Sequence, residues 1–464
     1  MAEKTMPLYR RGYRSIRGIA GPLVFVDHVR DVAYGELVTI ETPGERRTGQ
    51  VLQIQNDLVV IQVFDGTLGL AEENTTLWLE QDVVRVPVGK SLIGKVLNGR
   101  GDMLGGEPLP FASEYLGVSG QPLNPERRKS PHAFIETGIS TIDLTNSLVL
   151  GQKLPIFTGA GLPSNELAAQ IVSYSRVPGT NQPFLVVFAA MGITRREANF
   201  FLEAFRKNGA LSKGVFFMNL ASDSAAERLL TPRMALTVAE YFAYQQGYDV
   251  LVVLTDMLHY CEALREIGAA REEIPGRRGY PGYMYSDLST IYERAGCVKN
   301  CPGTITQIPI VSMPDDDMTH PVVDLTGYIT EGQIVLGRAL QRKGVYPPVD
   351  ILPSLSRLMN KGIGKEKTFP EHRALADQMY ASYARARELE QLRIVIGDDA
   401  LSPLEKRYLR FGRIFEDSFV HQKGRRSLED TVRVAWDLLG VLPQEEIYRL
   451  PREVVLRMHK ERES

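Results

Sequence analysis

Residues 157–166 read Phe157-Thr158-Gly159-Ala160-Gly161-Leu162-Pro163-Ser164-Asn165-Glu166. The apolar run Leu154-Pro155-Ile156-Phe157 leads into them, and a helical pattern from Glu166 to Arg176 follows. A strand, a Gly-rich turn and a helix in that order are the setting of a phosphate-binding loop, whose working pattern is GxxxxGK[ST]. Its glycines let backbone N–H groups wrap the phosphates, its Lys neutralises them, and its hydroxyl holds Mg²⁺. On that pattern Thr158 takes the first Gly position, Pro163 the second, Ser164 the Lys position and Asn165 the hydroxyl position. Proline has no N–H to give, the cation is missing, and Glu166 adds negative charge. Each change opposes tight binding of a triphosphate with Mg²⁺, although Gly159 and Gly161 survive. The alternative is an ordinary Gly-rich strand-to-helix turn that never held phosphate.

Working outward, strand and helix signals alternate. Phe184 to Ala190 reads as a buried strand. Thr194 to Asn208 reads as a helix with Ala198, Phe201, Leu202 and Phe205 on one face. Gly214 to Met218 is a strand, Ala225 to Gln246 a long helix, and Val250 to Leu254 the most apolar strand. This alternation predicts a mainly parallel sheet with helices on both faces. Asp249 to Asp256, an apolar strand ending in an acid, has the form of a Walker B strand, whose Asp orients the metal shell. Many strands end in Asp, so alone this signal is weak.

On the N-terminal side, short runs such as Leu23–Val26, Glu36–Ile40, Gly49–Ile54 and Leu58–Val63 are separated by turn formers and predict a small antiparallel barrel. Towards the C-terminus charged residues dominate, and stretches such as Ala374 to Arg393 predict a helical bundle. The expected division is a β-barrel over 1–87, an α/β nucleotidase-type domain of the RecA-like P-loop kind over 88–365, and an α-helical domain over 366–464.

With 464 residues, 44% hydrophobic and 24% charged, the chain has the composition of soluble globular proteins. A net charge of -2 leaves no footprint for nucleic acid. No apolar run approaches the length of a membrane helix, and the basic stretch Met1 to Arg17 lacks the apolar region of a secretory signal, so any membrane association is expected to run through partners. Cys261, Cys297 and Cys301 form neither a disulfide framework nor a metal centre, since no second pair or nearby His accompanies them. Reduced thiols and no metal site are expected.

Together these segments resemble the B subunit of V-type and A-type rotary ATPases over nearly the whole chain. The resemblance is carried by Thr137-Gly-Ile-Ser-Thr-Ile-Asp143 and the degenerate loop, and by the run from Leu254 through Glu262-Ala-Leu-Arg-Glu-Ile and Pro275-Gly-Arg-Arg-Gly-Tyr-Pro-Gly-Tyr to Ile291-Tyr-Glu-Arg-Ala-Gly296. A further match is Pro347-Pro-Val-Asp-Ile-Leu-Pro-Ser-Leu-Ser356.

The resemblance implies a three-plus-three hexamer in which this chain alternates with a catalytic A subunit. That ring surrounds a central rotor shaft, is braced by peripheral stalks, and sits on a membrane ion-translocating sector at the cytoplasmic face. ATP or ADP with Mg²⁺ would lie at the shared interface, held mainly by the catalytic neighbour, with no cofactor bound tightly by this chain. Catalytic relatives carry a water-activating Glu where this chain has Ile193. The resemblance places an arginine finger at Arg357, with Ser356 and Tyr328 at the nucleotide interface; a surface ion pair for Arg357 and a packed strand aromatic for Tyr328 are the alternatives. Asp398 and Asp399 resemble an acidic loop turned towards the shaft, the alternative being a solvated helix cap, and Arg277 and Arg278 lie in a loop placed near it. Two other classes remain: a self-sufficient hexameric ATPase of the Rho-like or export-apparatus kind, which needs the missing loop Lys and Glu, and a scaffold subunit in which Arg357 is structural.

Overall fold

The computed structural model describes residues 10–456; residues 1–9, the first part of the basic N-terminal stretch, and 457–464 lie outside the described residues. The N-terminal strands pair antiparallel in the order Arg11–Tyr13, Thr76–Val83, Glu36–Thr42, Glu45–Gln55, Leu58–Val63, Leu23–Val26, Ile16–Ala20. Alternate residues such as Val24, Val38, Ile40, Ile61 and Leu77 point to one buried face, as a period of two requires. Register irregularities at Ile16/Gly18, Glu36/Val38 and Val51/Gln53 let the sheet curl around that face. The next strand, Arg85–Val88, pairs instead with Glu114–Gly117, and Val84, Val86 and Val88 pack into the central core.

The central sheet runs, from one edge, Val349–Ser356, Gly332–Leu336, Ile156–Gly159, Thr304–Met313, Asp249–Thr255, Phe184–Ile193, Gly214–Leu220, Val96–Asn98. All pairings along it are parallel except the edge pair of Gly332–Leu336 with Val349–Ser356. The inner strands are buried on both faces, which explains their near-continuous apolar runs. Pro353 sits in the edge strand, where a missing N–H does least harm. The helix Arg195–Lys207 is fixed by a capping box between Thr194 and Glu197, and it lays Phe201 and Phe205 on Phe188 at ring separations of 4.8 and 5.1 Å. The long helix expected to reach Gln246 keeps α geometry only over Ala225–Glu240; Tyr241–Gln245 continues as a wider turn.

The helices His372–Ile396, Pro403–Ile414 and Leu428–Leu439 build the C-terminal domain around Met379, Tyr383, Phe411, Phe415 and Phe419. At its root His372 is fully buried, stacks on Phe369 at 4.7 Å, and bonds to the Leu144 carbonyl and the Thr368 hydroxyl at 3.0 Å each. The three cysteines are free thiols. No helix among the described residues is long and apolar enough to cross a membrane.

Burial lowers the His372 pKa to about 4, against bonds to backbone carbonyls that act the other way. The unfolded chain therefore takes up the proton first. This histidine's contribution is fully present above pH ~6.5 and is lost as pH falls towards 4, amounting to about 3 kcal/mol over the window. The buried Asp143 carboxyl, raised to about 7 mainly by desolvation, has the opposite pH dependence, so the comparison must be between variants. His372→Gln is expected to unfold in urea with a midpoint less sensitive to pH between 4 and 6.5 than the parent chain. Equal pH dependence in the two chains would refute this.

Candidate functional site

The strand Ile156–Gly159 delivers the loop to the end of the sheet where parallel strands terminate, the usual ligand end of such sheets. Gly161 turns the loop with φ +76°, a conformation that glycine adopts without strain. The helix Ser164–Tyr174 then begins with Pro163 as its cap residue, which makes no side-chain capping bond. Some of the loop's own polar groups are spent on the chain. Leu162 N–H donates to the Gly159 carbonyl and Ser164 N–H to the Leu162 carbonyl. Asn165 donates its amide to Glu197 at 3.0 Å, joining the capping box of the neighbouring helix. Burial opposes ionisation of Glu197, but the bonds from Thr194 and Asn165 outweigh it and hold the carboxyl below its usual range.

An ion pair lies across the loop. Arg338 forks onto Asp316 through Nε at 2.6 Å and Nη2 at 2.8 Å, and Nη2 also donates to the Ala160 carbonyl at 3.0 Å. A side chain at Gly159 would run into the Asp316 carboxylate and the Arg338 guanidinium. Asp315 and Asp316 adopt left-handed backbone with φ 56°, which aspartate tolerates better than most residues. The Arg338 bond holds the Asp316 carboxyl below the usual carboxylate range. An ion pair thus lies against the loop at Gly159, and Ser164 and Asn165, the latter already engaged by Glu197, do not supply the cation and hydroxyl that a Mg²⁺-triphosphate loop of this kind uses.

Asp256 caps the helix Met257–Ala270. Its Oδ1 accepts from Leu258 N–H at 2.8 Å and Ser312 N–H at 3.1 Å, so that oxygen ties together two strand ends. Ile193 is buried in the apolar cluster of Phe188, Phe201 and Phe205, away from solvent water. Among the described residues no group of His, Cys, Asp and Glu is placed to hold a metal ion.

Arg357 lies at the opposite end of the sheet. Gly332 pairs with Ser356 on the antiparallel edge strand, whereas Ile156 is level with Ile334 and the loop continues beyond Gly159. Five residues of strand separate the two levels, roughly 16 Å along the strand direction. An arginine side chain cannot bridge that, so Arg357 cannot serve its own chain's loop. It is exposed, its N–H donates to the Glu331 carbonyl at 3.0 Å, and Nη1 reaches the Thr330 carbonyl at 3.5 Å. Among the described residues no carboxylate lies within 4.0 Å of it, so the surface ion pair that sequence left open is not formed within the chain.

Tyr328 is on the helix Pro321–Ile329 and 73% exposed, which removes the packed strand aromatic. Leu355, on the edge strand two residues before Arg357, is 51% exposed. Ser356, expected at the nucleotide interface, is instead turned inward: its hydroxyl donates to the Ser147 carbonyl at 2.8 Å and accepts from Gln152 at 2.9 Å. An alternating strand that exposes Leu355 must bury its neighbour. Asp398 and Asp399 are exposed in the turn after Gly397, and Asp398 is 3.8 Å from Arg393. The following helix is capped by Ser402 and Glu405 instead. Beside them Ile394 and Val395 are each 81% exposed. Arg277 and Arg278 are tied down, Arg277 to the Thr319 carbonyl and Asp324, Arg278 to Asp317 at 2.7 Å. Sequence reading missed Asp316, Arg338, Gln152 and Glu331. The acidic run Asp315-Asp316-Asp317 after a buried strand was the available signal for the first.

A barrel-type sheet, a parallel-sheet domain with a phosphate-loop position and a helical C-terminal domain in one chain define a class, and comparison with known proteins identifies it. Residues 16–76 match the beta-barrel domain and residues 138–356 the nucleotide-binding domain of the ATP synthase alpha/beta family, and residues 361–459 match the C-terminal domain of V and A type ATP synthase. The V-type ATP synthase beta chains of two strains of Thermus thermophilus are each 54% identical over 457 residues, covering 97% of this chain and 96% of theirs. The solved structure of the ATP synthase subunit NeqB from Nanoarcheaum equitans is 35% identical, with a TM-score of 0.72 over 90% of this chain and 98% of that one. The chain belongs to the ATP synthase alpha/beta family, among the V-type beta chains, and so is one component of a multi-subunit V/A-type ATP synthase.

Because Arg357 is exposed and has one long bond to a carbonyl, Arg357→Ala is expected to leave stability of the isolated chain within about 0.5 kcal/mol of the parent. Urea unfolding of both proteins checks this, and a large loss would mean that the arginine holds the fold together.

Proposed function

We propose that this chain is the non-catalytic B subunit of a V/A-type rotary ATP synthase, supplying Arg357 in trans to the nucleotide site of a neighbouring catalytic A subunit. The supporting observation is the placement of Arg357: exposed, without a carboxylate partner among the described residues, and at the sheet end remote from its own loop. Phosphoryl transfer spreads charge over the phosphoryl oxygens, and the guanidinium would stabilise that charge, an effect worth roughly 10³–10⁵ in rate. Its planar fork suits two oxygens at once, which a lysine cannot match. Exposed Tyr328 and Leu355 would pack around the same contact.

In this reading ATP or ADP with Mg²⁺ is held mainly by the catalytic neighbour, and this chain's own loop binds neither tightly. The missing Lys at Ser164, Pro163 in place of a donor, and the Asp316–Arg338 pair across Gly159 all favour that. With Ile193 where catalytic relatives carry a Glu, the chain alone would not turn over ATP. Three copies would alternate with three catalytic chains around a rotor shaft, braced by peripheral stalks on the cytoplasmic face of a membrane sector that carries protons or sodium ions. Exposed Asp398 and Asp399, with Ile394 and Val395 beside them, would meet the shaft. Arg277 and Arg278, already engaged by Thr319, Asp324 and Asp317, would shape the loop facing it rather than bind it directly.

Steady-state ATPase assays on this chain, its catalytic partner and their mixture test the reading. No turnover is expected from this chain alone, turnover from the mixed ring, and a loss of about 10³-fold or more for rings carrying Arg357→Ala. Turnover by the isolated chain would overturn the non-catalytic assignment. Assembled Arg357→Ala rings with full activity would make the chain a scaffold. In equilibrium titration with a fluorescent ATP analogue, the isolated chain is expected to show no saturable binding at concentrations that saturate the catalytic partner.

A further inference from the structure

The segment that enters the degenerate loop also grips the end of the edge strand. Gln152 is fully buried, and its amide is used on every side. Nε2 donates to the Ser356 hydroxyl at 2.9 Å and to the Glu331 carbonyl at 3.1 Å, while Oε1 accepts from Val149 N–H at 3.0 Å. The same Glu331 carbonyl accepts the N–H of Arg357 at 3.0 Å. Lys153, also buried, donates its N–H to Glu331 Oε2 at 2.8 Å, and its ammonium sits 2.8 Å from Glu331 Oε1 and 2.6 Å from Glu293 Oε1.

We propose that Gln152 and Lys153 are positioning residues for Arg357, holding the residue before it, Ser356, and the residue that receives its N–H, Glu331. This rests on the reading of Arg357 as the residue that acts in trans. The guanidinium makes a single long bond, to the Thr330 carbonyl, so its aim is set by the backbone from which it springs. The strand ladder ends at the Gly332–Ser356 pair, and Gln152 takes over there, bonding the residue before Arg357 and the carbonyl that receives its N–H. Lys153 holds the carboxylate of Glu331 inward. Released, that carboxylate, on the residue whose carbonyl takes the Arg357 N–H, could pair with the guanidinium and hold it back from a neighbour. A displacement of about 1 Å can cost on the order of 10²-fold in rate, so this mount matters for the chemistry although neither residue touches the nucleotide.

The test is a double-mutant cycle in rings assembled with the catalytic partner, reading kcat and KM. Gln152→Glu keeps the volume and the acceptor for Val149 but loses both donors. It is expected to lower kcat about 10- to 100-fold with KM within about 2-fold, and to cause no further loss in rings that already carry Arg357→Ala. Unchanged kcat, or the same loss in both backgrounds, overturns the proposal, because a merely structural role would act whether or not Arg357 is present. If Gln152→Glu rings do not assemble, Ser356→Ala, which deletes one hydroxyl and one of the two grips, must show the same dependence on background. If Arg357→Ala by itself leaves kcat unchanged, the reading of Arg357 falls and this proposal falls with it.

Discussion

The register of the strand Ile156–Gly159 constrains the rest of the central domain. It is held parallel between Thr304–Met313 and Gly332–Leu336, so its C-terminal end must open onto the loop and its N-terminal end must begin beside Gly332. The antiparallel edge strand then returns to that N-terminal end and stops at Ser356. One chain thereby presents two unlike ends of one sheet, a loop position at one and a bare arginine at the other. Burial of the inner strands on both faces keeps this register from slipping, since a shift by one residue would turn every side chain over.

The two ends differ in how their polar groups are satisfied. At the loop end the N–H groups of Leu162 and Ser164 and the side-chain amide of Asn165 are engaged within the chain, and Arg338 spends its fork on Asp316 and Ala160. A ligand there would have to displace a two-point ion pair and accept a carboxylate beside its phosphates. At the other end the N–H of Arg357 is held by the Glu331 carbonyl and Ser356 is paired with Gly332, while the guanidinium has only a long contact to the Thr330 carbonyl.

The sheet class and the three-part division were legible because they rest on local signals: apolar runs of strand length, turn formers and a change to charged, helical sequence. Side-chain direction was less legible. Ser356 and Arg357 are adjacent and were expected to face the same site, but strand alternation buries the first and the edge exposes the second. Tyr328 could be read as a strand aromatic because Gly327-Tyr328-Ile329 precedes a strand; Pro321, at the start of the helix, sets the segment helical and turns the ring outward. The helix expected through Gln246 leaves α geometry after Glu240, with no proline or glycine there to announce it. The pair Asp316–Arg338 spans 22 residues and depends on two left-handed aspartates, and neither feature leaves a periodic trace.

The electrostatics of Arg357 decide what kind of neighbour it needs. In the isolated chain water solvates it, and the 3.5 Å contact to the Thr330 carbonyl lies at the weak limit of a hydrogen bond. Covered by another protein surface, a guanidinium with no anion would cost several kcal/mol in lost hydration. Among the described residues no acid relieves it: Glu331, whose carbonyl takes its N–H, and Glu293 are committed to Lys153 and Arg128. The compensating charge must therefore come from the covering surface. On the proposed reading that charge would be the phosphate oxygens of a nucleotide: it is redistributed as the bond breaks, so the arginine would bind the transition state more tightly than the ground state, and only such differential binding accelerates a reaction.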